Sequence, residues 1–135
     1  MGAIWGVGVS IECRNPPQMR RPGGHYSHVV LHHGVVYVSG QLPIGPEGPP
    51  TPAATFEHQA TQVLENVRAA VEGAGSRLSR VLKCTVYLSD IGDWPEFDRL
   101  FAAAFGDHRP ARTVVPVSTL HYGCRVEMDV VAAVD

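Results

Sequence analysis

Arg112 and Glu127 are the residues best suited, by type and spacing, to act on a small anion. A guanidinium grips a carboxylate through two parallel hydrogen bonds, and a glutamate can take a proton from water and hand it on. Both lie in the stretch 110–130, which reads as two arms rich in β-branched residues around a Tyr122-Gly123 turn. In the second arm Val126, Met128, Val130, Ala132 and Val134 alternate with Arg125, Glu127 and Asp129, the period of a half-buried strand. A turn centred between His121 and Tyr122 sets Arg112 opposite Val131 and Glu127 opposite Pro116. Arg112 and Glu127 then share a face, four residues apart, about 13 Å along the strand. Two long side chains can converge over that gap on a small anion and a water. Pro116 lacks an N–H, so a bulge or an edge position there would shift the register. The plainer alternative is a pair of unrelated exposed charges, and the pattern alone favours it.

Residues 4–13 alternate weakly and predict a first strand, and 14–24 form a loop rich in proline and glycine. Residues 28–32 and 35–40 predict a hairpin turned at His33-Gly34. Five prolines and two glycines make 43–52 an exposed loop. Thr55 is placed to cap a helix whose apolar stripe runs through Phe56, Ala60, Val63, Leu64, Val67, Ala70, Val71 and Ala74, with Gly73 or Gly75 ending it. Residues 80–89 predict a strand. Asp93 and Pro95 suit the start of a second helix with Phe97, Leu100, Phe101, Ala104 and Phe105 on its apolar face, stopped at Gly106. Two closing strands complete an α/β (α+β) two-layer sandwich: one mixed sheet with two helices on one face.

The chain has 135 residues, 44% of them hydrophobic, and a formal net charge of −2. That length fits one domain, 1–135. With no lysine or arginine run, nothing suggests a nucleic-acid partner. No apolar stretch reaches the ~20 residues of a membrane span, and the first residues lack the basic start of a signal peptide. The expected location is the cytoplasm. Cys13, Cys84 and Cys124 are odd in number and far apart, so neither a disulfide framework nor a zinc site is expected. Seven histidines show no metal-ligand spacing; His32 and His33 would point to opposite faces of a strand.

Three blocks, in order, carry a family resemblance. Gly24-His25-Tyr26-Ser27-His28 followed by Val35-Val36-Tyr37-Val38-Ser39-Gly40-Gln41-Leu42-Pro43 is the first; Val81 to Asp90 is the second; Pro110-Ala111-Arg112-Thr113 with Val126-Glu127-Met128-Asp129 is the third. Together they resemble the RidA (YjgF/YER057c/UK114) family over about Pro22 to Ala133. The resemblance implies a chorismate-mutase-like fold, a homotrimer with ligand clefts between subunits, and hydrolysis of reactive 2-enamine or 2-imine acids to 2-keto acids and ammonia. It implies no cofactor, no metal and no covalent intermediate. Arg112 matches the family's carboxylate-binding arginine and Glu127 the glutamate that handles water and protons. Tyr26 matches a tyrosine reaching in from the neighbouring subunit. Ser39 and Gly40 match the ligand-lining wall.

Two departures bear on substrate. Val114 stands where relatives often have cysteine or serine, which leaves only its backbone for substrate binding. Asp98 stands where many carry asparagine, which puts a negative charge near the expected interface. The alternatives are a specialised relative acting on another imine, such as an aminomuconate-like or biosynthetic one, and a non-catalytic keto-acid binder. Nucleic-acid cleavage, attributed to some relatives, is disfavoured by the acidic balance.

Overall fold

The computed structural model describes residues 10–134. Its described elements, in chain order, are β1 (Glu12–Arg14), β2 (Val29–His32), β3 (Val35–Gln41), α1 (Phe56–Gly73), β4 (Val81–Leu88), α2 (Trp94–Phe105), β5 (Ala111–Pro116) and β6 (Val126–Ala133). The strands form one mixed sheet in the order β1-β2-β3-β6-β4-β5. Of the predicted first strand, only Glu12 and Cys13 belong to β1; residues 4–9 lie outside the described residues.

Local chemistry explains most elements. His33 (φ 51°) and Gly34 (φ 74°) both adopt the left-handed conformation that a two-residue hairpin turn requires between β2 and β3. The Thr55 hydroxyl accepts from the His58 N–H at 3.1 Å and caps α1. Gly75 (φ 89°) follows the end of α1, and Ser76 N–H reaches back to the Val71 carbonyl. Phe97, Phe101 and Phe105 bury the inner face of α2. Asp93 precedes that helix but does not cap it with its side chain; its carboxylate instead accepts two bonds from Arg125, at 2.7 and 3.2 Å.

The helices cover one sheet face. There Val36, Val38, Val86, Leu88, Val126, Met128 and Val130 meet the apolar stripe of α1 and Phe97 of α2, all buried. Buried Gln59 is satisfied by accepting from the Arg125 N–H at 2.9 Å. The other face carries Tyr37, Lys83, Thr85, Tyr87, Glu127 and Asp129, as the pairing registers require. Among the described residues no helix is long and apolar enough to cross a membrane.

The predicted closing hairpin is not formed. β5 pairs in parallel with β4, and β6 runs antiparallel between β3 and β4, so β4 separates the two arms. α2 is the crossover that a parallel β4–β5 pair needs. β6 buries every second residue, as an inner strand does, whereas β5 is the more exposed edge, where Pro116 costs little.

Candidate active site

The strand order decides what Arg112 and Glu127 can do. Arg112 aligns with Cys84, which aligns with Val130, so Arg112 projects toward the helices. Glu127 aligns with Tyr87 and projects from the opposite face. The shared face expected from a hairpin register is therefore wrong: within one chain the two side chains point away from each other.

Around Glu127 a first half-site forms. The β3–β6 register shifts between Val38 and Gln41, a bulge that carries Ser39 and Gly40. Gly40 lies so close to Glu127 that a Cβ there would stand 2.5 Å from Oε2. The glycine is what lets the carboxylate lie against the backbone. Burial raises the Glu127 carboxyl above the ordinary carboxylate range; nearby His121 opposes the shift and Asp129 adds to it. A raised carboxyl suits a group that both accepts and returns a proton. The Ser39 hydroxyl donates to the Ser27 carbonyl at 2.6 Å, which fixes the chain before β2 onto β3. Tyr26 is half exposed and stands edge-on to the His28 ring, with centroids 6.1 Å apart. Tyr26, Gly40 and His121 open onto one hollow.

Around Arg112 a second half-site forms on the edge strand. Its guanidinium lies over the rings of Trp94 (4.5 Å to the centroid) and Phe101 (4.6 Å) and donates from Nη2 to Asp98 Oδ1 at 3.0 Å. The two rings and one carboxylate hold a flat cation in one plane. Asp98, expected as a charge near an interface, thus acts directly on Arg112. Val114 shares the Arg112 face and packs against the core, so its side chain is committed to the fold.

The structure thus groups Tyr26, Ser39, Gly40 and Glu127 at one place and Arg112 with Val114 at another. His121 was missed by sequence reasoning; only its place in the turn before Glu127 hinted at it. Burial pushes the Cys84 thiol up to about 12 and also raises Cys124, so neither is a thiolate nucleophile near neutral pH. Among the described residues no three His, Cys, Asp or Glu side chains are grouped so as to hold a metal.

Comparison with known proteins agrees with this architecture. The family model described as Endoribonuclease L-PSP matches residues 18–134. A RutC family protein of Pyrococcus abyssi is 36% identical over 112 residues, 83% of this chain and 88% of that one. Protein HMF1 of Saccharomyces cerevisiae is 34% identical over 108 residues, 80% of this chain and 83% of its own. Among solved structures, RidA from the Antarctic bacterium Psychrobacter is 34% identical with a TM-score of 0.80, covering 90% of this chain and 100% of that one. The YjgF gene product of E. coli is 30% identical with a TM-score of 0.82, covering 90% and 98%. With the mixed six-stranded sheet, its two helices and the matched blocks in place, the chain belongs to the RidA/YjgF family.

Proposed function

We propose that this protein is a hydrolytic deaminase of 2-imino and 2-enamino acids, assembled as a homotrimer whose sites lie between subunits. The observation that carries the reading is the opposed projection of Arg112 and Glu127. Each is held in a prepared half-site, and one chain cannot apply both to the same small molecule. A neighbouring copy supplies the missing half, so Arg112 of one subunit faces the partner subunit's Glu127, Gly40 and Tyr26.

The chemistry asks little of the protein because the imine carbon is already electrophilic. Arg112 binds the substrate carboxylate and fixes C2. An enamine takes a proton at its β-carbon and an imine takes one at nitrogen, so either reacts as the protonated imine, and that proton is given back when the hydroxyl ionises at the end. Glu127, as the carboxylate, accepts a proton from a water while the water oxygen bonds to C2. The resulting carbinolamine holds its nitrogen as an amine; the protonated Glu127 passes its proton to that nitrogen. The C–N bond then breaks with its electrons on nitrogen, ammonia leaves, and the hydroxyl loses its proton as the 2-keto acid forms. Mass and charge balance with water as the only co-reactant.

Asp98 favours a specialised substrate over a general one. It already takes one donor of the guanidinium, so an incoming carboxylate meets a partly neutralised partner.

The test is keto-acid release from imines made in situ by an amino-acid oxidase or dehydratase, with a scavenger competing for the imine. Acceleration by the wild type, lost in R112A and E127A, is the expected result. A folded protein that accelerates no imine overturns the reading.

A further inference from the structure

The hollow that opens at Tyr26, Gly40 and His121 is larger than a three-carbon imino acid needs. It measures about 730 Å³ and runs between the 18–24 loop and α1 from Gly40, the glycine against which the Glu127 carboxylate lies. Pockets of ~300–1,000 Å³ suit drug-sized ligands.

Both walls are fastened. Buried His28 donates from Nε2 to the Arg20 carbonyl at 2.7 Å, and its Nδ1 accepts from the Gln41 amide nitrogen at 3.3 Å. Gln18 donates to the Ala69 carbonyl at 3.3 Å, which ties the loop to α1. Across the hollow, Asn66 donates to the carbonyls of Leu42 and Ile44, both at 3.0 Å. A space walled this way exists before a ligand arrives.

The chemistry of the walls is asymmetric. Met19, Leu42, Ile44 and Ala69 offer apolar surface along the hollow. Arg20 and Arg21 line the loop side, and among the described residues neither forms an ion pair. Glu65 lines the helix side, so negative charge on a ligand is directed toward the arginines.

We propose that this hollow is a subsite for the side chain of an extended substrate, apolar in its middle and anionic at its far end, with Arg20 and Arg21 binding that end. The proposal rests on the deaminase reading for the reacting end and on the hollow alone for the side chain. It makes the preferred substrate a long acid-ended 2-imino acid rather than a short one.

The imines of 2-aminoadipate and norleucine have side chains of equal length that differ in the terminal carboxylate, and the imine of alanine is the short reference. Wild type is expected to favour the adipate-type imine over the norleucine type by about tenfold or more in kcat/KM, through KM, the scale of a charge-assisted contact. In R20Q/R21Q that preference collapses toward unity while turnover of the alanine imine stays unchanged. Calorimetric binding of 2-oxoadipate against 2-oxohexanoate reads the same preference without turnover. A binding preference lost in R20Q/R21Q supports the subsite even if no imine is hydrolysed, in which case the deaminase reading alone fails. Turnover of short imines with no preference for the acid-ended ligand, or a preference that survives R20Q/R21Q, overturns the subsite.

Discussion

Replacing Gly40 with alanine moves one carboxylate and little else. The new Cβ would stand 2.5 Å from Glu127 Oε2 and 3.2 Å from its Cδ, against 3.4 Å where ordinary contact begins. Oε2 must therefore withdraw by about 0.9 Å, from 2.5 Å to the 3.4 Å of ordinary contact. The clashing atoms are the far end of a flexible side chain, so a rotamer adjustment of ~0.5–1.5 kcal/mol relieves the contact. Gly40 is not in the left-handed region, so alanine fits its backbone and offsets ~0.4–1 kcal/mol of that through the unfolded chain. Stability should change by less than about 1 kcal/mol, a few degrees in Tm. Catalysis should suffer far more, because a displacement near 1 Å can cost ~100-fold. The assay is kcat/KM for imine hydrolysis beside a thermal melt, in G40A, E127Q and the double variant. If Gly40 acts by placing Glu127, G40A/E127Q is no slower than E127Q alone. Wild-type activity in a folded G40A refutes the reasoning. A double variant far below E127Q refutes it too, because the methyl group would then be acting on the substrate itself.

Other expectations follow from the same geometry. Asp98→Asn frees the Arg112 guanidinium from a competing carboxylate and should tighten binding of a simple keto acid such as 2-oxobutyrate by about three- to tenfold in calorimetry, the scale of a modest ionic contact. The raised Glu127 carboxyl gives a pH signature. Its contribution to stability is fully present below the ordinary carboxylate pKa and is lost as pH rises through the higher folded value. Glu127→Gln should therefore gain stability over wild type as pH rises across that window and show no gain below it, in denaturant melts at a series of pH values. Thr55→Ala removes the cap of α1 and should lower unfolding free energy by ~1 kcal/mol in urea, with little change in activity. Phe97→Ala empties a fully buried site beneath α2 and should cost ~3–5 kcal/mol in the same measurement.

The elements were legible where local chemistry specifies them. Thr55, the stripe from Phe56 to Val71, the His33-Gly34 turn and the aromatic face of α2 each state their structure within a few residues. The alternation of Val126, Met128, Val130 and Ala132 gave the inward face of β6 correctly. What failed was the partner of β5. Two β-branched arms around a turn look like a hairpin, yet a strand–helix–strand run through β4, α2 and β5 also signals a parallel crossover pair. The choice rests on contacts distant in sequence: β6 inserts beside β3 and β4, and β5 takes the edge. That one difference moved Arg112 and Glu127 from a shared face to opposite faces. It turned an apparent single-chain site into two halves. The contact of Asp98 with Arg112 depends on the same crossover arrangement and left no local trace, whereas His121 was hinted at only by its place in the turn before Glu127.

If each active site takes Arg112 and Glu127 from different subunits, as proposed, two inactive variants should complement each other. R112A and E127A are each inactive alone on this account. Unfolded together, refolded as a one-to-one mixture and assayed for imine hydrolysis, they should regain roughly a quarter of wild-type activity, because each interface draws an intact arginine and an intact glutamate independently at even odds. A mixture as inactive as its components, with mixed trimers verified by native mass spectrometry, would contradict the intersubunit site.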